Sequence, residues 1–286
     1  MTRIAYVNGR YLPHRDARVH IEDRGYQFAD AVYEVVAIAD GRLVDGDGHN
    51  DRLERSLKEL RIAMPMTRRA LEMVMAEVIR RNAIRNGSIY LQMSRGVAPR
   101  DHPFPAHPKT QVVMTAKHAA PPSRKVAEEG VRVITLEDIR WRRCDIKSLA
   151  LLPNVLGKQQ AVTAGAYEAL QVDEEGNITE GTSTNAWIVT AAGKLVTRPL
   201  GAEILAGVVR RSLVAILGEM KLEFEQRPFA LAELRGAKEA FLTSSSAFLL
   251  PVTRLDGAPV GDGSVGPLAR ELRRRMDAEV ARQSAA

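Results

Sequence analysis

The chain has 286 residues, 45% hydrophobic and 27% charged, proportions that suit a globular protein with a sizeable core, in two domains or one large one. A single cysteine, Cys144, excludes an internal disulfide and a CxxC metal knuckle. No run nears the roughly 18 apolar residues of a membrane span and no apolar leader core opens the chain, so a cytoplasmic enzyme or binding protein is expected.

In chain order, "IAYVNGRYL" predicts a hairpin about Asn8-Gly9, and "AVYEVVAIADGRLV" a second about Asp40-Gly41. "NDRLERSLKELRIAM" and "TRRALEMVMAEVIRRNAI" have helical spacing, with Pro65 between them. "SIYLQMSRG" and "QVVMTAK" predict strands flanking the Pro-rich loop "VAPRDHPFPAHPK". A linker is expected at 118–125, centred on Pro121-Pro122. It separates a small N-terminal domain, 1–117, from a larger C-terminal one, 126–286.

Beyond the linker, "GVRVITLED" predicts a strand and "PNVLGKQQAVTAGA" a helix that tolerates Pro153 near its start. "YEALQVDEEGNITEGTSTNAWIVT" predicts a two-stranded hairpin about Glu175-Gly176-Asn177. "AEILAGVVRRSLVAILGEM" predicts a helix with a glycine near its start, and "EAFLTSSSAFLLPV" a strand running into serines. Strands and helices mix without a regular βαβ beat, so the class is α/β of the α+β kind.

The net charge of +6 is spread over helices that also carry acids, such as "DRLERSLKELR" and "LARELRRRMDAEVARQ". These read mostly as solvated helix faces. With 5% aromatics and no RNP-like motif, nucleic-acid binding is not expected; a basic balance also suits anionic small substrates or a phosphate cofactor. There is no GxGxxG after a strand, no GxxxxGK[ST] and no GxSxG. His102 and His107 lie five residues apart among prolines, not at helical metal-ligand spacing.

The informative stretch is "RWRRCDIKSLALLPNVLGKQQA". Lys147 is its last charge before an apolar run. Either it snorkels, stem on apolar surface and head in water, or it is a reactive amine among the cations Arg140, Arg142 and Arg143. Anion-binding pieces accompany it. The small residues of "ILAGVVRR" stand at a helix start, where free N–H groups favour phosphate. Ser244, Ser245 and Ser246 offer hydroxyls, and Arg52 lies on a predicted helix. Glu180, in "NITEGTSTNAW", is an acid that could face a pyridine nitrogen or be a solvated hairpin residue. Together these fit a phosphate-bearing aldehyde, pyridoxal phosphate.

At these residues the chain resembles the pyridoxal-phosphate-dependent aminotransferases of fold type IV. The lysine segment, "ITEGTSTNAWIV", "LAGVVRR" and "TSSSAFLLPV" match that family's segments in order and rough separation over most of the chain. Within the family, "DRGYQFADAVYEV" and "SRGVAPRDHPFP" are most similar to the D-amino-acid aminotransferase branch.

The resemblance implies Lys147 as the Schiff-base lysine and Glu180 as the partner of the pyridine nitrogen. It implies Arg52, Val208, Val209 and Ser245 at the phosphate, and Leu205 behind the ring. Tyr33, Arg100 and His102 match residues that hold the substrate α-carboxylate. Where relatives often carry threonine, this chain has Val209, which offers only its backbone N–H; either phosphate affinity is lower or Ser244 supplies the hydroxyl. The implied activity is ping-pong transamination between a D-amino acid and 2-oxoglutarate or pyruvate, in a homodimer. An L-branched-chain aminotransferase or an aminodeoxychorismate lyase of the same fold, and a basic non-catalytic binding protein, are the alternatives.

Overall fold

The computed structural model describes residues 3–120 and 124–285, which form two compact units. The first takes residues through 120 together with 146–150 and 280–285; the second takes 124–145 and 151–279. Of the expected linker, residues 121–123 lie outside the described ones.

The first unit opens with strands β1 (Ile4–Val7) and β2 (Arg10–Pro13), then a short helix α1 (Arg24–Phe28). Next come β3 (Ala31–Ala39), β4 (Arg42–Leu43), helices α2 (Gly46–Glu59) and α3 (Arg68–Arg81), β5 (Gly87–Ser94) and β6 (Gln111–His118). Among the described residues they form one sheet in the order β2-β1-β6-β5-β3-β4, antiparallel throughout. Both predicted hairpins form. Their turns place Asn8-Gly9 and Asp40-Gly41 at φ of 48° and 90°, and 47° and 82°, the left-handed values this turn type requires.

One face of the sheet supplies Ile89, Leu91, Met93, Val112 and Met114 to the core. Leu53 and Leu57 of α2 meet it, with Leu71, Met75, Val78 and Ile79 of α3. That i, i+4, i+7, i+8 stripe explains why α3 lies on the sheet. Thr67 caps α3 by accepting from the Ala70 N–H at 3.3 Å. Strand β4 pairs only with Ile38 and Ala39, at one end of β3. The other end of that edge is taken by residues 147–149, through a bridge between Val32 and Ser148. Ile146, buried in the same core, anchors the segment.

The second unit contains α4 (Arg124–Glu129), β7 (Val131–Glu137), α5 (Leu152–Thr163), β8 (Glu168–Val172), β9 (Ile178–Gly181), β10 (Asn185–Val189) and β11 (Leu195–Thr197). It continues with α6 (Val208–Glu219), β12 (Phe224–Gln226), α7 (Leu231–Arg235), β13 (Glu239–Ser244), β14 (Phe248–Leu255), β15 (Ala258–Pro259) and α8 (Pro267–Ala285), whose last residues count with the first unit. The described strands form one mixed sheet, β12-β11-β10-β13-β14-β7-β8-β9, with β15 on β14. Strands β9 and β10 are buried along their whole length, as strands covered on both faces must be. Trp187 and Phe241 stack at 5.8 Å in one layer, and Leu170, Ile188 and Leu250 fill another.

Two boundaries differ from the sequence reading. The predicted hairpin after Glu168 is three strands. β8 and β9 pair, but the chain turns at 182–184, where the Gly181 N–H donates to the Thr184 carbonyl. β10 then leaves to pair with β11 and β13. The helix predicted from Ala202 starts at Val208, because Gly207 is extended (φ −63°, ψ 132°) and serves as its N-cap.

A buried ion pair ties α2 to β3. Arg52 Nε and one terminal nitrogen donate to Glu34 at 2.8 and 2.7 Å, and His49 Nδ1 lies 2.7 Å from the same carboxylate. Glu34 is 1% exposed. Burial alone would raise its pKa, but the charge and hydrogen bonds of Arg52, with His49, outweigh it and pull the value down to about 2. Glu34→Gln should lower stability at neutral pH by about 3–5 kcal/mol, since it removes the carboxylate charge that faces a buried guanidinium. The wild-type contribution is fully present above the ordinary pKa of 4.5 and is lost as pH falls through about 2. Urea denaturation of both proteins at about pH 6 and about pH 3 checks this: wild type should lose more stability over the interval than the variant.

Candidate active site

Lys147 is held by its backbone before its side chain does anything. Its carbonyl accepts from the Tyr33 N–H at 3.0 Å, and its own N–H donates to Ser56 Oγ at 3.3 Å. Two residues on, the Leu149 N–H donates to the Ala31 carbonyl at 3.1 Å. The ammonium lies 4.1 Å from the centroid of the Tyr33 ring, a cation–π contact. Lys147 is half-buried, neither a free surface lysine nor a sealed one. Tyr33 in turn packs against Tyr90 at 5.9 Å. Burial, with the nearby Tyr33, raises the Tyr90 hydroxyl to about 12, so that hydroxyl stays a neutral donor, to Gln92 at 2.8 Å.

Arg52 lies one helical turn before Ser56 on α2, so the arginine expected at the phosphate and the lysine share one support. Part of its guanidinium is committed to Glu34. Arg100 and His102 are exposed on the loop between β5 and β6. Both meet Phe28: the Arg100 guanidinium lies 4.9 Å from the ring centroid, and the His102 ring 5.6 Å away. The first unit therefore joins Tyr33 directly to Lys147, and Arg100 to His102 through one aromatic ring.

In the second unit Glu180, next to last in β9, is buried and fully engaged. One carboxylate oxygen pairs with Arg140. The other accepts from Asn185 Nδ2 at 3.0 Å and the Leu205 N–H at 3.1 Å. This excludes the solvated-hairpin alternative. Arg140 also holds Asp138 at 2.7 and 2.8 Å. Burial disfavours its charge, but the Asp138 hydrogen bonds and the Glu180 and Asp138 charges together raise its pKa. Arg140 and Asn185 went unrecognised in the sequence. Arg140 is 40 residues from Glu180, and Asn185, five residues past it, also reaches Leu205 20 residues on; no local pattern signals either role. Arg142 pairs at 3.6 Å with Glu174, and Arg143 at 2.9 Å with Asp145. All three cations preceding Lys147 are thus matched by acids. Burial, against the lowering effect of Arg140, pushes Cys144 up to about 12, so the one cysteine stays a neutral thiol.

Asn185 also donates to the Leu205 carbonyl at 3.0 Å, which fixes the segment leading to α6. A Cβ on Gly207 would fall 2.0 Å from Asn185 Oδ1, so only glycine allows that approach. Gly207 brings no side chain to cap α6, and the N–H groups of Val208 and Val209 open the helix. The Val209 side chain is buried in the core with Leu213 and Trp187, which is why the position presents backbone alone. Thr243 pairs with Asn185 across β13 and β10, so Ser244 and Ser245 follow at the same end of the sheet. Ser244 Oγ lies 3.3 Å from Ser246 Oγ.

The donor types suit pyridoxal phosphate, each unit taken by itself: in the first an amine shares a support with an arginine, and in the second a buried carboxylate has its oxygens fixed and an uncapped helix start accompanies hydroxyls. His102 and His107 join no metal cluster, since no group of three His, Cys, Asp or Glu among the described residues is placed to hold an ion.

Residues 31–255 match the family described as amino-transferase class IV. The chain is 39% identical over 272 residues to the D-alanine aminotransferase of Staphylococcus haemolyticus, covering 95% of each chain. It is 38% identical over 278 residues to that of Bacillus licheniformis, covering 97% of each. A T.th. branched-chain amino acid aminotransferase solved with pyridoxamine 5'-phosphate superposes with a TM-score of 0.90 at 27% identity, over 99% of this chain and 95% of that one. The Escherichia coli branched-chain enzyme gives 0.91 at 23%, over 97% and 94%, a likeness of fold alone. A chain matched over this span, with relatives this similar along nearly their whole length, belongs to the class IV amino-transferase family.

Proposed function

We infer that this protein transfers an amino group between a D-amino acid, such as D-alanine, and a 2-oxo acid, 2-oxoglutarate or pyruvate, using pyridoxal 5'-phosphate in two ping-pong half-reactions. The observation that carries the reading is Lys147, fixed at both backbone polar groups with its amine against the Tyr33 ring. Family membership and the D-alanine aminotransferase relatives support it.

When bound, the cofactor supplies an aldehyde carbon that receives the amino group and a ring that draws electrons from the substrate Cα. Lys147 Nζ would hold that cofactor, and its free amine would take the proton from the substrate Cα as base and return it as acid. Glu180 would keep a proton on the ring nitrogen; Arg140, Asn185 and the Leu205 N–H hold its carboxylate in orientation. Leu205 would pack behind the ring. Arg52, the N–H groups of Val208 and Val209, and the hydroxyls of Ser244 and Ser245 hold the phosphate. Tyr33, Arg100 and His102 hold the substrate α-carboxylate.

The assembly we assign is a cytoplasmic homodimer. Leu152, Val155, Leu156 and Val162 share one face of α5 and are all exposed, an apolar surface of the kind a second copy covers. No described helix is long and apolar enough to cross a membrane.

Lys147→Ala should abolish transamination and the cofactor's lysine-bound absorption band while circular dichroism stays that of wild type; near wild-type turnover would refute the assignment. Arg100→Leu should raise KM for D-alanine by roughly 2–3 kcal/mol of lost charge-assisted binding and erode the preference for D over L substrates. The check is kcat/KM for D- and L-alanine in both proteins, with L-leucine and L-valine alongside. Wild-type preference for the last two would select the branched-chain reading.

A further inference from the structure

The mechanism leaves one buried cluster of the first unit unused, and it lies directly beneath the loop that carries Arg100 and His102. Arg24, first residue of α1, is 4% exposed. Its guanidinium is divided three ways. Nε donates to Asp30 Oδ2 at 2.8 Å, and the terminal nitrogens donate to the backbone carbonyls of Asp101, at 2.6 Å, and His102, at 3.2 Å. Those are the two residues that follow Arg100.

Asp30 takes a second buried arginine. Arg95, 2% exposed, donates to it at 2.7 and 2.9 Å and donates also to the carbonyls of Leu60 and Arg61. Arg95 also lies 3.6 Å from the Phe104 ring centroid, farther along the same loop. The base of α1 is equally fixed: Asp23 accepts from the Gly25 N–H and from Ser94 Oγ, each at 2.8 Å.

The loop from Pro99 to Pro108 has four prolines and no strand pairing, so it cannot hold its own shape by a hydrogen-bond ladder. Burying two guanidiniums around one carboxylate is costly, and a core of apolar residues would be cheaper if stability were the only requirement. What the arrangement gains is the fixed position of an exposed segment. Phe28, last residue of α1, completes it. Arg24 and Arg100 each lie 4.9 Å from its ring centroid, and His102 packs against it. One five-residue helix thus carries at its start the clamp on the loop backbone and at its end the platform for the Arg100 and His102 side chains.

We propose that Arg24, seated on Asp30, is a positioning residue that, with the Phe28 platform, fixes Arg100 and His102 and thereby sets the affinity and enantiomer preference for the substrate carboxylate. This rests on the reading that Arg100 and His102 hold that carboxylate. Arg24 touches no substrate, and its effect passes through the backbone of residues 101 and 102.

The test is steady-state kinetics of the holoenzyme with D- and L-alanine and 2-oxoglutarate, for wild type, Arg24→Lys, Phe28→Leu and Arg100→Leu. Lysine keeps a charge for Asp30 but cannot span both loop carbonyls. Arg24→Lys should raise KM for D-alanine about tenfold and lower the D-to-L ratio, with kcat within about twofold and the cofactor spectrum unchanged. Phe28→Leu should shift the same two readouts in the same direction. In Arg24→Lys/Arg100→Leu the KM should exceed that of Arg100→Leu by less than the single-variant effect, because both act through one contact. A rise in KM under Arg100→Leu, with KM and D-to-L ratio unchanged in Arg24→Lys and Phe28→Leu, overturns the proposal alone. A loss confined to kcat does the same. An unchanged KM in Arg100→Leu overturns the carboxylate reading and this proposal with it. If Arg24→Lys fails to fold, Phe28→Leu decides on the same readouts.

Discussion

The arrangement depends on a sheet edge that the first unit cannot close by itself. Strand β4 is two residues long and covers only one end of β3. At the other end Ala31, Val32 and Tyr33 would present unpaired backbone groups, which a protein must cover or pair. The chain covers them by bringing residues 146–150 back to the first unit after β7 has been laid in the second. Lys147 is thus positioned by sheet hydrogen bonds. Its amine meets Tyr33 because lysine carbonyl and tyrosine N–H are already bonded. A lysine on a helix surface would have its whole flexible stem between the amine and any such constraint; here the backbone at the root of that stem is fixed.

A second regularity follows from burying acids in a basic protein. Glu34, Asp30 and Glu180 each face guanidinium groups, from Arg52, from Arg24 and Arg95, and from Arg140. Glu168, fully buried, is served instead by Thr182, Ser183 and Thr184. Each carboxylate would be expensive without donors and becomes a rigid joint with them. The joints sit where rigidity matters: β3 to α2, α1 to the loop of Arg100, β9 to the segment before α6, and β8 to the turn between β9 and β10. The arginines of this basic chain therefore serve the interior as well as solvated helix faces.

Local chemistry made much of this legible in the sequence. Asn8-Gly9 and Asp40-Gly41 specify their turns by backbone preference alone, and the α3 stripe specifies a helix on a sheet. The lysine and Glu-Gly segments resemble a family on residues alone, and that family is the one the comparisons return. Long-range features were hidden. Gly181 reads as one more residue of an apolar strand. It ends β9 because Thr182, Ser183 and Thr184 have a buried acid to wrap, well back in sequence at Glu168. Ala202–Ala206 has helical composition, but Asn185 and Glu180 take backbone groups of Leu205 that a helix would need for itself.

Arg140 shows how such a reading fails and what replaces it. In sequence it stands with Arg142 and Arg143 ahead of Lys147, and proximity along the chain suggests three cations acting on one amine. In space Arg140 belongs to the second unit, where its guanidinium joins Asp138, Thr179 and Glu180. It lies close to Lys147 along the chain, yet Thr179 and Glu180 are 39 and 40 residues ahead of it. A charge that looked like tuning for the lysine is spent orienting the acid. The same segment therefore serves both ends of the proposed chemistry: Lys147 where protons move, and Arg140 where the carboxylate that must hold one is kept in place. That economy explains why the arginines and the lysine stand so close in sequence while none of those arginines is left as an unmatched charge.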